Sequence, residues 1–175
     1  MMIKKFEEPI FLKIQKNYPN GENARSLEND IRKLLESQAF AVLATQGKGI
    51  TVASLITFDS SIDLKNIVFV TPRNSEKFDL IDRNENISIL VDNRSIHPDS
   101  INDISALTII GKARILTNEK EILEWGKRLT RKHPNLTSFV KASTSAVILV
   151  EVVRYQYVKK FQEVWEWDPS NHYTD

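Results

Sequence analysis

The stretch "IVFVTPRNSEKFDLIDRNENISILVDN", residues 67–93, contains a strand, a polar loop, a short helix and a second strand in succession. Its first part, "IVFVT" (67–71), is rich in β-branched and aromatic residues, and a proline follows it. Phe78 and Ile81 suit a short helix over about residues 75–84, which is followed by the strand-like run "ISILVD" (87–92). The stretch therefore predicts a β-rich fold in which a short helix separates two strands.

Four further stretches on either side have the composition of strands. They are "FAVLAT" (40–45), "ITVASLITF" (50–58), "ALTIIGKARIL" (106–116) and "SAVILVEVVRYQYVKKF" (145–161). Gly111 lies inside one of them, where a glycine often marks a bulge or a close backbone approach. Six strands joined mostly by short turns predict a mainly β (α+β) fold, a small six-stranded antiparallel barrel.

Two longer amphipathic helices are predicted at the periphery of this barrel. One begins at Ser26 and places four leucine and isoleucine side chains on one face: Leu27, Ile31, Leu34 and Leu35. The other follows Asn118, which with Glu121 forms a capping-box pair. No linker divides the chain, so we expect one domain over residues 1–175, with an N-terminal extension (1–25) and a C-terminal tail (162–175).

The composition narrows the classes of function. Of the 175 residues, 41% are hydrophobic and 27% charged, an ordinary balance for a soluble globular protein. The net charge of +1 gives no long-range reason to expect a nucleic acid as partner. The absence of cysteine excludes disulfides, thiolate metal sites and a cysteine nucleophile. Without an apolar run long enough for a signal peptide or a membrane span, we expect a cytoplasmic protein with no membrane partner.

The loop "TPRNSEK" has two interpretations. The free N–H groups at a helix start attract anions, and Thr71, Ser75, Lys77 and Arg73 would add hydroxyls and positive charge suited to a phosphate. Alternatively, Ser75 is only an N-cap and the two cations are solvated. Taken alone, the stretch favours the second interpretation, because polar residues are common at helix starts.

Other candidate residues are also ambiguous when taken singly. The small residues Ala53 and Ser54 would let a flat ring lie against a strand, or would simply fit a tight barrel. Lys112 lies on a solvent face or points to a ligand. Trp165 and Trp167 form a hydrophobic latch, a subunit contact or an aromatic lid.

The histidines suggest no metal site. His97 and His133 each precede a proline and His172 lies in the tail, so we expect all three to be exposed. Neither a Walker loop nor a GxGxxG motif is present.

The order of these features resembles the pyridoxamine 5′-phosphate oxidase-like family of flavin-binding split β-barrels. The resemblance covers about residues 27–130, and "VTPRNSEK", "NENISILV" and "IIGKARIL" are its most specific parts. It implies a six-stranded antiparallel split β-barrel with peripheral helices, and a homodimer with FMN at the subunit interface.

The resemblance also implies roles for individual residues. Thr71, Ser75 and Lys77 would hold the FMN phosphate, with Arg73 as a further candidate. The ring and ribityl chain would lie along the middle of one strand, at Val52, Ala53, Ser54 and Leu55. Lys112 and the C-terminal tryptophans, Trp165 and Trp167, are candidates for contacts with the cofactor from the second subunit.

Several positions depart from the authentic oxidase. Thr51 and Ile56 stand where that enzyme has an arginine and a lysine, and Glu76 and Ala106 replace an arginine and a glutamine. These losses argue against pyridoxamine phosphate as substrate. The resemblance therefore implies a flavin-dependent oxidoreductase of unknown substrate and electron donor. The alternatives are a non-catalytic flavin-binding or stress-related protein, the same fold with a deazaflavin or haem, and a barrel without a cofactor.

Overall fold

The computed structural model of the chain describes residues 16–17, 19, 21–96, 99–160 and 163–170. Within these ranges the chain forms eight strands and four α-helices. The strands are β1 (Lys16–Asn17), β2 (Phe40–Gly47), β3 (Ile50–Ser60), β4 (Asn66–Pro72), β5 (Asn86–Asp92), β6 (Ala106–Ile115), β7 (Ser145–Lys159) and β8 (Glu163–Trp167). The helices are α1 (Gly21–Ser37), α2 (Glu76–Arg83), α3 (Glu119–Lys132) and α4 (Thr137–Lys141). None of the described helices is long and apolar enough to cross a membrane.

Six of the strands close into an antiparallel barrel, as the sequence predicts. The order around it is β7-β4-β3-β2-β5-β6, and pairing of β6 with β7 completes the ring. β8 pairs with the second half of β7, and β1 adds to β8 in parallel. β8 was not predicted from the sequence, and it lies in the segment expected to be the C-terminal tail.

The sequence predicts a bulge or a close backbone approach at Gly111, and the structure shows both. The register between β6 and β7 shifts between Ile110 and Gly111, which is a bulge. A Cβ atom at Gly111 would lie 2.6 Å from the carbonyl oxygen of Glu151, so the two strands approach closely only because this residue has no side chain. Glycine is therefore required at the point where β6 bends against β7.

The hydrophobic core fills the barrel, and a smaller cluster lies outside it. The large side chains at the centre include Phe58, Phe69, Ile89 and Tyr155. α3 and α4 cover the outer face of β4 and the start of β7, where they bury a second cluster. β4 is therefore buried on both faces, which explains its unbroken apolar sequence.

The helix starts were predicted with mixed success. α2 begins at Glu76 with Ser75 as N-cap, as expected, and the side chain of Asn118 caps α3. The carboxylate of Glu121 pairs with Arg114 instead of completing a capping box. α1 begins at Gly21 rather than Ser26, because its first turn is polar and lies before the apolar face on which the prediction depended.

Candidate functional site

The turn from β4 into α2 brings together two of the predicted phosphate ligands. Thr71 is buried at the end of β4, and its hydroxyl lies 3.0 Å from the hydroxyl of Ser75. Ser75 Oγ donates to the carbonyl of Pro72 at 2.8 Å and accepts weakly from the N–H of Phe78 at 3.4 Å. Because Ser75 has one proton and gives it to Pro72, Thr71 is the donor in the Thr71–Ser75 hydrogen bond. Both hydroxyls therefore brace the turn in this structure.

The start of α2 still offers free donors. The backbone N–H groups of Phe78 and Asp79 bond to the carbonyl of Ser75, whereas those of Glu76 and Lys77 precede the first intrahelical hydrogen bond. Lys77 is half-buried and makes no ion pair with any residue that the structure describes. The start of α2 therefore has two N–H groups without an intrahelical partner, the positive end of the helix and one lysine without an ion pair among the described residues.

Glu76 and Arg73 modify the charge of this turn. Glu76 is exposed and places a carboxylate in the first turn of α2, so the turn has less net positive charge than a lysine–arginine pair would give. The Arg73 guanidinium carbon lies 5.8 Å from the centre of the Phe78 ring. The Arg73 side chain also lines a cavity beneath α3, which is described below.

The barrel is open between β3 and β4, beside this turn. The two strands pair only from Phe58 to Ser60 of β3, opposite residues 67–69 of β4. If this register continued, Thr57 would lie opposite Val70 and Ile56 opposite Thr71, but neither pair forms. We call this opening the split. It separates the segment predicted to hold the flavin ring from the turn predicted to hold the phosphate.

The β3 residues predicted to contact the ring lie along the split. β3 pairs with β2 from Ile50 to Thr57 on one edge, whereas its other edge is unpaired before Phe58. Val52 and Ser54 share the inward face of Phe58, yet they are half-buried because the barrel is open there. Ala53 and Leu55 face outward and are exposed. The unpaired backbone of β3 offers N–H and C=O groups to a planar ligand.

An apolar patch covers the outer face of the barrel next to β3. Val42 of β2 lies directly opposite Leu55 of β3 on one side and Leu90 of β5 on the other, so the three side chains form a row. Phe40 and Ile96 extend this row and are 57% and 56% exposed. We call these five residues the outer apolar patch. The patch was not predicted from the sequence, although the run of apolar residues on both faces of β2 indicates it.

Lys112 lies on the outer face of β6, as its alternation with Gly111 predicts. It is exposed, and its Nζ is 2.7 Å from a carboxylate oxygen of Glu85. The hydrogen bond that Lys112 donates to Glu85 raises the pKa of the lysine above its usual value, so the lysine is charged at neutral pH.

The two tail tryptophans pack against the barrel. Trp167 is buried and its ring stacks on Tyr155, with centroids 5.5 Å apart, so it acts as a hydrophobic latch. Trp165 is half-buried against the core, and the ammonium of Lys159 lies 5.7 Å from the centre of its ring. Its indole N–H is buried without a partner among the described residues. A cofactor contact by Trp165 stays a prediction.

The expectation that His133 is exposed is wrong. His133 is 8% exposed, and its Nε2 lies 2.9 Å from the carbonyl oxygen of Phe58. It ends α3, and the helix packs it against β3, a contact that its local sequence does not reveal. His97 and His172 lie outside the described residues. No cluster of potential metal ligands occurs within the described ranges.

Comparison with solved structures supports the fold. ChuZ of Campylobacter jejuni aligns with 89% of this chain at 17% identity and a TM-score of 0.72. A haem-binding protein of Mycobacterium smegmatis aligns with 79% of it at 17% identity and a TM-score of 0.70. The chain spans 62% and 56% of the lengths of these two proteins. An FAD-binding protein of Mesorhizobium loti aligns with 74% of this chain at 10% identity and a TM-score of 0.60, and 91% of its own length is covered.

The sequence comparisons give the family. No curated protein sequence matches the chain. The family model described as pyridoxamine 5′-phosphate oxidase matches residues 27–159, which include every barrel strand and the split. The chain belongs to the pyridoxamine 5′-phosphate oxidase family.

Proposed function

We propose that this chain is an FMN-binding homodimeric flavoprotein and a flavin-dependent oxidoreductase whose substrate is not pyridoxamine phosphate. One observation carries the proposal: the unpaired edge of β3 and the free helix start of α2 lie on opposite sides of the split. A ligand with a flat polar ring at one end and a phosphate at the other matches that arrangement. When bound, FMN would supply the redox chemistry, and the protein would supply position and electrostatics.

The phosphate would bind at the start of α2. Lys77 and the N–H groups of residues 76 and 77 are available to it. Thr71 and Ser75 would join by turning their hydroxyl protons from each other and from Pro72 toward the phosphate oxygens. Arg73, whose side chain reaches Phe78 and the cavity below α3, is the weakest member of this set.

The ring would lie along β3. Residues 52–55 supply an unpaired backbone edge, and Ala53 and Ser54 are small enough to let a ring approach it. Thr51 and Ile56, which flank this segment, carry no charge. This site therefore has less attraction for a phosphate-bearing substrate beside the ring, which is the basis for excluding pyridoxamine phosphate.

The outer apolar patch supports the homodimer. Exposed phenylalanine, leucine and isoleucine side chains grouped on one face are typical of a protein interface. The patch adjoins β3, so a second copy seated on it would stand beside the ring position. Lys112 and Trp165 are proposed to contact the cofactor from that copy.

A second candidate is haem binding in the same fold, because a protein of similar fold from M. smegmatis is a haem-binding protein. An axial histidine would be needed for most haem sites. Among the described residues His133 is buried and bonded to Phe58, which argues against it as that ligand.

The absorbance spectrum of the purified protein, before and after addition of FMN or haem, separates these candidates. We expect flavin bands at about one FMN per chain. A Soret band would replace the proposal by haem binding, and a protein that takes up neither would refute both. Anaerobic NADH or NADPH then tests catalysis: bleaching of the bound flavin is expected, and a flavin that no donor reduces would indicate a non-catalytic binder.

The phosphate site is tested by the double substitution Ser75→Ala with Lys77→Ala. We expect FMN affinity to fall at least about tenfold, because each hydrogen bond to a charged group contributes about 1.5–3 kcal/mol. Ser26→Ala with Lys33→Ala, at exposed positions of α1, is the matched control. Because Ser75 also caps α2, each variant's thermal unfolding is measured, and Lys77→Ala alone isolates the charge. Unchanged affinity in both Lys77 variants would refute the assignment.

A further inference from the structure

A second cavity lies on the other side of the turn, between α3, α4 and the start of β7. Its volume is about 370 Å³, within the range of small-molecule sites. We call it the α3–α4 cavity. Apart from Arg73, none of the residues predicted to bind FMN lines it.

The walls of the α3–α4 cavity are mainly apolar and close together. Ile122 and Val140 contribute to the smaller hydrophobic cluster, and Val147 is buried beneath it. A Cβ atom at Gly126 would lie 2.8 Å from Val140, so the glycine lets α3 and α4 approach. Leu123 lines the cavity and is 58% exposed. These walls suit an alkyl chain or a single aromatic ring.

The charged groups around the cavity are predominantly positive. Arg73, Lys127 and Lys141 line it, against a single carboxylate, Glu119. None of the four makes an ion pair within the part of the chain that the structure describes. Elsewhere on the surface several cations are paired, for example Lys112 with Glu85. The excess charge here is therefore complementary to an anion.

Among the described residues that line the cavity, one buried hydroxyl lacks a hydrogen-bond partner. Thr130 and Thr137 each donate to a backbone carbonyl of their own segment. Ser145 Oγ is buried and has no hydrogen-bond partner among the described residues. A buried hydroxyl without a partner costs free energy, and rotation about its Cα–Cβ bond allows it to donate to a ligand oxygen.

We propose that the α3–α4 cavity binds a small amphiphilic monocarboxylate, with its apolar tail between α3 and α4 and its carboxylate among the lysines. The tail would contact Ile122 and Val140, and Lys127 and Lys141 would hold the carboxylate. The site is separate from the split, so the proposal does not depend on flavin binding.

Isothermal titration of the 175-residue chain with octanoate at neutral pH tests the proposal. We expect saturable binding of one octanoate per chain. Octanol has the same tail without the charge, and octylammonium reverses the charge. Both are expected to bind at least about tenfold more weakly, because they lose the attraction of two cations. Equal binding of all three would refute the carboxylate site, and no saturable binding of octanoate would refute the cavity.

Two variants locate the binding. Lys127→Met with Lys141→Met is expected to lower octanoate affinity about tenfold, whereas Lys120→Met, on the same helix but outside the cavity, is the matched control. Ala142→Phe would fill the cavity with all charges retained, and we expect it to abolish octanoate binding. Thermal unfolding of each variant verifies folding. Octanoate affinity unchanged in both cavity variants would overturn the proposal.

A second copy of the chain is the competing occupant. Leu123→Glu, at the exposed edge of the cavity, should leave the molar mass in light scattering unchanged if the cavity is a ligand site. Dissociation of a dimer by this substitution would mean that a second copy covers the cavity, and the ligand proposal would be wrong.

Discussion

β7 and β3 are the two longest strands of the barrel, and they differ in how much of their backbone is paired. β7 pairs with β6 along one edge, and with β4 and then β8 along the other. β3 pairs with β2 from Ile50 to Thr57, but only its last three residues pair with β4, so each part of the strand has a partner on one edge only. The first six side chains of β7 are all buried, whereas none of the first six of β3 is. Unpaired backbone and exposed apolar side chains occur together on β3, so we expect β3 to bind the cofactor and a second copy of the chain. Because β7 is paired on both edges and buried, we expect it to determine the stability of the fold.

The largest loss of stability is expected from a substitution of Gly111, where β6 approaches β7 closely. In Gly111→Ala the new methyl group would collide with the backbone of Glu151. Backbone moves less readily than a side chain tip, so we expect the free energy of unfolding to fall by about 2–4 kcal/mol. Denaturant unfolding measures it. Ala53→Val on β3 is the contrasting variant, with an expected change below about 0.5 kcal/mol. If both variants lost the same free energy of unfolding, the inference that β7 determines stability and β3 determines binding would be wrong.

The next effect concerns Tyr155 of β7, whose hydroxyl donates to the carbonyl of Leu64 at 2.6 Å in the core. Tyr155→Phe leaves that carbonyl without its partner, so we expect a loss of about 1–3 kcal/mol in the free energy of unfolding at neutral pH. Tyr157→Phe, at a less enclosed position of the same strand, should cost less. If the two variants lost the same free energy of unfolding, burial of the hydroxyl would not explain the contribution of Tyr155 to stability.

The pH dependence of Tyr155 gives an independent check. Burial raises the pKa of this phenol far above its usual value. The contribution of the Tyr155 hydroxyl to the free energy of unfolding is therefore fully present below the unfolded-state pKa of about 10. It is lost as the pH rises above that value, because only the unfolded chain then ionises. The advantage of the wild type over Tyr155→Phe should shrink by about 1.4 kcal/mol per pH unit above 10. A constant difference between pH 9 and 11 would show that this phenol ionises in the folded state.

The outer apolar patch beside β3 should affect assembly rather than folding. In Phe40→Glu a carboxylate replaces an exposed ring, so we expect dimer affinity to fall about tenfold or more with little change in unfolding. Sedimentation of the protein without cofactor measures this. Leu123→Glu on α3 is the matched control, since Leu123 is equally exposed but lies off the patch. A dimer that tolerates Phe40→Glu would place the interface elsewhere.

The smallest change in stability and in FMN affinity is expected from a substitution of Lys112. Its ion pair with Glu85 is exposed, and such pairs contribute little to stability. Lys112→Met should leave the unfolding transition unchanged and weaken FMN binding less than Lys77→Ala does. Fluorescence titration of FMN compares the two. A larger loss at Lys112 than at Lys77 would reverse the relative importance proposed for these lysines.

Local signals in the sequence were enough to locate the barrel strands and two helix caps. The β-branched runs, Ser75 and Asn118 act through neighbouring residues, which is why they can be read from sequence. Gly111 stands out as a glycine inside a strand, although the contact that requires it is with Glu151 of β7.

The features that the sequence did not reveal depend on distant contacts. His133 is buried because α3 packs it on Phe58, 75 residues away. The outer apolar patch requires the register that aligns Leu55, Val42 and Leu90 across three strands. β8 is short, and its Trp167 is held by stacking on Tyr155. The apolar residues on both faces of β2 indicate an exposed apolar face, but the local sequence does not show which residues of other strands lie beside it.

The position of β7 in the chain has a consequence for biosynthesis. β7 is the last barrel strand to be translated, yet it pairs with both β4 and β6. Until it has left the ribosome, those two strands present unpaired edges and the interior of the barrel is accessible to water. We therefore expect folding to be completed only after the whole of β7 has left the ribosome, and nascent chains to depend on chaperones that shield strand edges.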